Sequence, residues 1–264
     1  MNRRRRITLS IGCGLFLAAH GTGILAADAS DRTHRLIIAY NDDYAPYSFV
    51  EDGAIKGILP DILNALLANM PDLKTESVGL PWRRVQAEVR AGIADALCTF
   101  ASAERQEFTL FHKVPVVTLQ PHLFFAADNP VRKTIEAIVR REELMKLRLV
   151  DLKGNNWAEQ NLKDFPSIEY VPGHDNVFKM IMARRGDVHV SLSPIVTKWR
   201  IKKLGLPPDQ IISKPAPFVA AEVPFHLLIR KTHPRAAEIL KHLDDMLRKP
   251  GTPRLIEEIT QQYL

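Results

Sequence analysis

The sequence predicts an α/β chain built from two successive units of alternating strand and helix. Three observations carry this. Short apolar runs of strand length alternate with helix-length stretches of 3.6-residue spacing in two separate portions of the chain. A proline-rich passage at 215–224 is followed by one more apolar strand, and the first 29 residues have the makeup of an export signal.

In that leader, Arg3, Arg4, Arg5 and Arg6 precede an apolar run at 7–19 and a small-residue stretch ending in Ala26, Ala27, Asp28 and Ala29. Cleavage after Ala27 or after Ala29 fits the pattern equally. An Arg pair ahead of Ile7 and Leu9 resembles a twin-arginine signal, though a plain basic leader is the commoner explanation. The apolar run is short and glycine-broken, and no later segment approaches the roughly 20 apolar residues of a spanning helix. The expected location of the mature chain is therefore the periplasm.

The 264 residues carry a net charge of +6, which falls to about +2 once the four leading arginines are removed. No remaining basic run is interleaved with aromatics, which argues against nucleic-acid binding. Lys202 and Lys203 read as a solvated helix face. Of the two cysteines, Cys13 lies in the leader with too little apolar sequence before it for a lipid anchor. Cys98 is then alone, without an intrachain disulfide, and its apolar neighbours Ala96 and Leu97 mark it as a small buried hydrophobe. Metal-ligand clusters, nucleophile elbows and phosphate loops are missing from the sequence. A monomer with no cofactor, no metal and no catalytic residues is expected.

The first unit opens with a strand at 36–40, a loop at 42–49, a turn at Asp52 and Gly53, and a helix at 58–70 spaced by Ile62, Leu63, Leu66 and Leu67. A helix at 82–91 stopped by Gly92, a strand at 95–100 and extended runs within 114–127 complete it. The second unit follows a charged helix at 133–146. It comprises strand 147–152, a polar loop at Lys153, Gly154, Asn155 and Asn156, and a helix from Trp157. Strand 168–171, helix 175–185, strand 188–192, helix 195–204 and strand 211–214 come next. A strand at 225–229 and helices at 235–248 and 254–263 end the chain. Such alternation implies largely parallel sheets. In open α/β sheets a ligand sits beyond the carboxyl ends of the strands. That places candidate site residues at 41–49, 100–105, 153–157, 173–176 and 192–194, bringing in Phe100 and Ser193.

Three motif blocks fall at these positions. The first is Tyr44, Ala45, Pro46, Tyr47, Ser48 and Phe49, followed by Asp52, Gly53, Lys56, Gly57 and Asp61. The second is Pro81, Trp82, Arg83 and Arg84, then Gly92, Ala94, Asp95 and Ala96, then Ala103, Glu104 and Arg105 with Phe111. The third is Arg185, Gly186 and Asp187. In this order and spacing the chain resembles, as a divergent member, the periplasmic solute-binding proteins of family 3, the polar amino-acid ABC transporter substrate-binding type. The resemblance implies a two-lobed periplasmic binding protein fold of type II with two hinge-crossing strands. Lobe one would be 30–122 plus 222–264, and lobe two 123–221. It also implies closure on a small polar or anionic solute, delivered to an ABC transporter permease or a membrane receptor.

By the same resemblance, Arg105 pairs with a carboxylate of the solute, a role suited to its guanidinium fork. Trp82 lines the cleft or packs in lobe one. Tyr44 and Tyr47 flank Pro46 at the cleft mouth, with Tyr44 favoured as the aromatic wall and the other tyrosine turned into the core. Asn155, Asn156 and Trp157 stand where lobe two presents a helix N-terminus, which serves an anion or simply carries an Asn cap. Asp175 is expected to cap the helix that follows it. One departure bears on the solute. Family members that bind amino acids carry a carboxylate after the second Gly-Asp strand, whereas this chain has Ser191, Leu192, Ser193 and Pro194. An ammonium group would then need Asp43 or Glu222 as its counter-charge. The rival readings are a periplasmic dehydratase-like enzyme on the same scaffold, with His174, Asp175 and Asp43 as its only attractive acid–base groups, and a ligand sensor for a membrane receptor.

Overall fold

The computed structural model describes residues 34–207 and 209–264; the leader expected over 1–29 lies outside the described residues. The first group of elements is β1 (Arg35–Asn41), β2 (Asp43–Tyr44), β3 (Ser48–Glu51), β4 (Ala54–Lys56), α1 (Ile58–Leu67), β5 (Lys74–Leu80), α2 (Trp82–Ala91), β6 (Ala96–Thr99), α3 (Ala103–Gln106), β7 (Thr109–Phe111) and β8 (Val117–Leu119). The second is β9 (His122–Ala126), α4 (Arg132–Ala137), α5 (Arg141–Leu144), β10 (Leu149–Leu152), α6 (Asn156–Asn161), β11 (Ile168–Val171), α7 (His174–Met182), β12 (His189–Ser191), α8 (Pro194–Lys203) and β13 (Ile211–Pro215). The chain then returns to the first group with β14 (Val223–Arg230), α9 (Ala236–Leu247) and α10 (Thr252–Gln261).

Lobe one is a sheet ordered β5-β1-β6-β14-β7, with β8 also paired to β14. β1 runs parallel to β5 and β6, and β14 antiparallel to β6, β7 and β8. β1 buries both faces. Leu36, Ile38 and Tyr40 join the cluster formed with α1, α9 and α10, while Ala39 packs on the other side with Val85 and Val89 of α2. Helices on both faces are what permit a sheet with parallel central strands. In lobe two, β10 pairs parallel with β11, β9 pairs antiparallel with β12 and β13, and a parallel bridge from Leu149 to Val188 joins the two sets. Its main apolar cluster includes Leu123, Phe125, Leu144, Leu149, Leu162 and Val190.

The Asp of each Gly-Asp motif turns out to be a staple. The buried Asp95 accepts from the Ile37 amide at 3.0 Å and from Arg230 Nε at 2.9 Å. Asp187 repeats this, accepting from the Arg148 amide and its guanidinium. Gly186 before it is sterically required, since a Cβ there would lie 2.0 Å from Val150 Cγ2. Gly57 has φ 133°, and a Cβ would lie 2.5 Å from the Tyr47 carbonyl. This close approach seats the aromatic-proline loop, whose Ala45–Pro46 bond is cis, against the start of α1.

Several elements differ from expectation. The loop foreseen at 42–49 contains β2 and part of β3, which with β4 forms a meander turning at Asp52 and Gly53. The charged helix foreseen at 133–146 is two short helices, because Ile138 turns extended and buries its side chain. Asp175 is not a cap: α7 begins at His174 behind Gly173, so Asp175 lies in the first turn.

Candidate functional site

The carboxyl ends of β1, β5 and β6 carry the lobe-one wall. After β6 the chain enters α3, where the Ser102 hydroxyl accepts from the Arg105 amide at 3.4 Å and Thr109 Oγ1 donates to the Arg105 carbonyl at 2.7 Å. Arg105 is only 7% exposed. Its Nε donates to Gln86 Oε1 at 3.1 Å and its Nη1 to the Phe100 carbonyl at 3.1 Å, while its guanidinium carbon lies 4.5 Å from the Phe100 ring centre and 5.2 Å from that of Trp82. Nη2 makes no hydrogen bond to a described residue. No carboxylate of the described residues comes within ion-pair distance, and the adjacent Glu104 is turned to Arg90 at 3.2 Å. Burial lowers the guanidinium pKa, partly offset by Glu104. A desolvated cation ordinarily brings a counter-ion with it. Here two rings and two neutral acceptors hold it in place, leaving a donor free.

Tyr44 and Tyr47 stack at 5.4 Å. Tyr47 is buried in the lobe-one cluster, whereas Tyr44 is half-buried and packs against it. Burial raises both phenols; the Ser193 hydroxyl partly opposes this at Tyr47, as Arg200 does at Tyr44.

On lobe two, the helix start foreseen as an anion site is occupied by its own side chains. Asn155 accepts from the Ala158 amide at 3.4 Å and gives its amide to Asp151 Oδ1 at 2.9 Å. The Gly154 amide is taken by Glu159 Oε1 at 3.0 Å. Trp157 packs against the lobe-two cluster and receives the Asn161 amide on its carbonyl. Asn155 and Trp157 therefore terminate and pack a six-residue helix; the Asn156 side chain lies outside what the structure describes. Ser193 is a buried cap too, accepting from the Val196 amide at 3.3 Å.

The lobes meet through α8. Val196 joins the lobe-one cluster with Leu192 and Ile195 packed beside it, Phe49 lies 5.8 Å from Trp199, and Arg200 Nη2 reaches Asp43 Oδ1 at 3.3 Å. Lys202, expected on a solvated face, donates to the Leu264 carbonyl at 2.7 Å. Sequence reading missed Gln86, Arg200 and the buried pair Asp151 and His189. A charged or imidazole residue inside the apolar runs 149–152 and 188–190 was the available signal for the last two.

Two depressions lie away from this wall. One of about 700 Å³ is lined by Val50, Ile55, Asn64, Thr75 and Gly79, and one of about 300 Å³ by Val171, Pro172, Lys179 and Arg185. Neither includes Arg105 or Trp82. Among the described residues no group of three or more His, Cys, Asp or Glu is placed to hold a metal, and no helix is long and apolar enough to cross a membrane.

The model of the bacterial extracellular solute-binding proteins, family 3, matches residues 36–264. The chain belongs to that family. Solved structures share the fold at low identity. An ancestral amino acid-binding protein described as a precursor of cyclohexadienyl dehydratase is similar at 19% identity and TM-score 0.63, covering 90% of this chain and 98% of that one. An amino acid ABC transporter substrate-binding protein from Streptococcus pneumoniae, bound to L-arginine, is similar at 18% identity and TM-score 0.64, covering 89% and 98%. A histidine kinase sensor domain with similarity to periplasmic binding proteins is similar at 18% and 0.63, covering 89% and 97%. No curated protein matches the chain. As a family 3 member, this chain is an extracytoplasmic protein that binds a small solute, on a two-lobed α/β scaffold of type II.

Proposed function

We propose that this family 3 protein is the periplasmic receptor of an ABC-type uptake system, closing on a small organic anion whose carboxylate is held by Arg105. One observation carries the reading: a guanidinium 7% exposed, with no carboxylate partner among the described residues. Cation–π contacts with Trp82 and Phe100 are worth about 0.5–2 kcal/mol each. A desolvated ion costs several kcal/mol, so a bidentate anion is what this site lacks. Phe100, 39% exposed, and the half-buried Trp82 and Tyr44 would form the apolar walls.

A zwitterionic amino acid fits less well. Asp43 is engaged by Arg200, and Glu222 takes the Gln120 amide at 2.6 Å. Glu222 is thereby taken, and Asp43 meets an ammonium group only if Arg200 releases it. We take lobe one as 30–122 with 222–264 and lobe two as 123–221, the chain acting as a monomer without cofactor and without catalysis. Delivery to a sensor is the second reading, favoured by the likeness to the kinase sensor domain.

A thermal-shift screen of organic acids against the purified mature chain tests this. A solute at 100 times its Kd stabilises the chain by about 2.7 kcal/mol. Arg105→Ala is expected to abolish that shift. Undiminished binding by this variant, or shifts with neutral sugars alone, would sink the reading.

A further inference from the structure

A second guanidinium stands at the lobe contact, and its ion pair is lopsided. The Arg200 side chain is 13% exposed, but its partner Asp43 is 83% exposed and touches it through a single 3.3 Å contact. Arg200 Nε is buried without a hydrogen-bond partner. A fork that bonds a carboxylate through one nitrogen and leaves Nε empty is poorly used, because guanidinium geometry suits two parallel bonds to one carboxylate. An exposed carboxylate is already hydrated and gives up little when displaced.

The surroundings favour an anion arriving from the cleft. His174, close enough to sense Arg200, opens α7, a nine-residue helix whose cap Gly173 offers no side-chain acceptor. Burial first, then Arg200, pushes the His174 imidazole down to about 4, with Asp43 and Asp151 opposing. It is therefore a neutral donor at neutral pH. Asp151 is a buried carboxylate of lobe two. Its Oδ1 is held by Asn155 and the Leu152 amide, but its Oδ2, 3.5 Å from a His189 Nδ1 that is bonded to the Val150 carbonyl, is buried without a hydrogen-bond partner.

We infer that Arg200 receives a second acidic group of the solute in exchange for Asp43, so that the solute is a dianion such as a dicarboxylate. This rests on the Arg105 reading, which supplies the first carboxylate site. The two arginines lie on opposite lobes, so a two-headed acid would bridge the closing cleft.

Titration calorimetry on the mature chain tests it with matched acids: succinate against butyrate and glutarate against pentanoate. Each diacid is expected to bind about tenfold or more tighter than its monoacid. In Arg200→Ala the diacid-to-monoacid ratio should fall to within about twofold, and Arg200→Lys, which keeps charge but not the fork, should retain part of it. Asp43→Asn should tighten diacid binding. Equal binding of diacids and monoacids overturns the inference. So does an Arg200→Ala variant that weakens both equally, for Arg200 would then only join the lobes. Arg105→Ala binding all acids like the parent would instead remove the Arg105 reading and this inference with it.

Discussion

Both lobes fasten the start of a strand with an aspartate and an arginine, yet the two fasteners are built to different depths. In lobe one, Asp95 and Arg230 have side chains 6% and 11% exposed, and the bond ties β6 to β1 and to the returning strand β14. In lobe two, Asp187 is 12% exposed but Arg148 is 53% exposed. The same motif is thus sealed in one lobe and half solvated in the other. The proposed site follows the same division: lobe one holds a buried, preformed guanidinium, whereas lobe two offers the capped helix starts at Asn155 and Ser193 and a guanidinium that engages across the contact. A rigid wall and an adaptable one differ in how much of each residue's interaction was settled at folding.

The largest expected effect comes from the fasteners. Asp95→Ala strands Arg230 in the core and should cost about 3–5 kcal/mol in denaturant unfolding. Asp187→Ala, whose arginine turns to water, should cost about 1–2 kcal/mol. Equal losses would erase the distinction between the lobes.

Acid should weaken both lobes next. His112, in lobe one, is held down to about 4 by burial and by His226, with the Val114 backbone and Asp244 opposing. Its folded pKa lies below its unfolded value, so the unfolded chain binds more protons as pH falls from about 6.5 to 4. Stability is full above about 6.5 and declines through that window. His112→Gln should lower the melting temperature at pH 7 but reduce the further drop between pH 7 and 4.5; an unchanged drop would mean other groups drive it. His174, in lobe two, is likewise held down to about 4, chiefly by burial, so its substitution should reduce the drop by a similar amount.

The tryptophans give the smallest and sharpest contrast. Trp82→Ala should weaken the best organic acid about tenfold, from lost cation–π and wall contacts, with little change in melting temperature. Trp157→Ala should destabilise by about 2 kcal/mol and leave the affinity of the folded protein nearly unchanged. The reverse pattern would exchange the roles assigned to the two walls.

Elements whose residues announce a period were legible from sequence: α1 through Ile62, Leu63, Leu66 and Leu67, and β1 through its apolar run. β5 was not, because Lys-Thr-Glu-Ser-Val-Gly-Leu at the sheet edge is half-buried along most of its length and offers the core only Val78 and Leu80. The small meander at 43–56 was hidden by its very short strands. At the site, Arg105 stood out through the Ala103-Glu104-Arg105 motif, but its partner Gln86 lies 19 residues away on another helix and carries no local mark. Arg200 was masked by Lys198, Lys202 and Lys203, which make its helix look solvated all round. Only the packing of Val196 and Ile201 on opposite sides reveals that α8 is clasped between lobes.

The two passages between lobes are themselves joined, by the Ala216 amide to the Pro121 carbonyl at 2.8 Å and by Gln120 to Glu222. Two rigid bodies tethered at a pair of adjacent points lose twisting and sliding and keep one easy rotation. Whatever binds in the cleft is thereby converted to a single angle, and a membrane partner touching both lobes need measure nothing else.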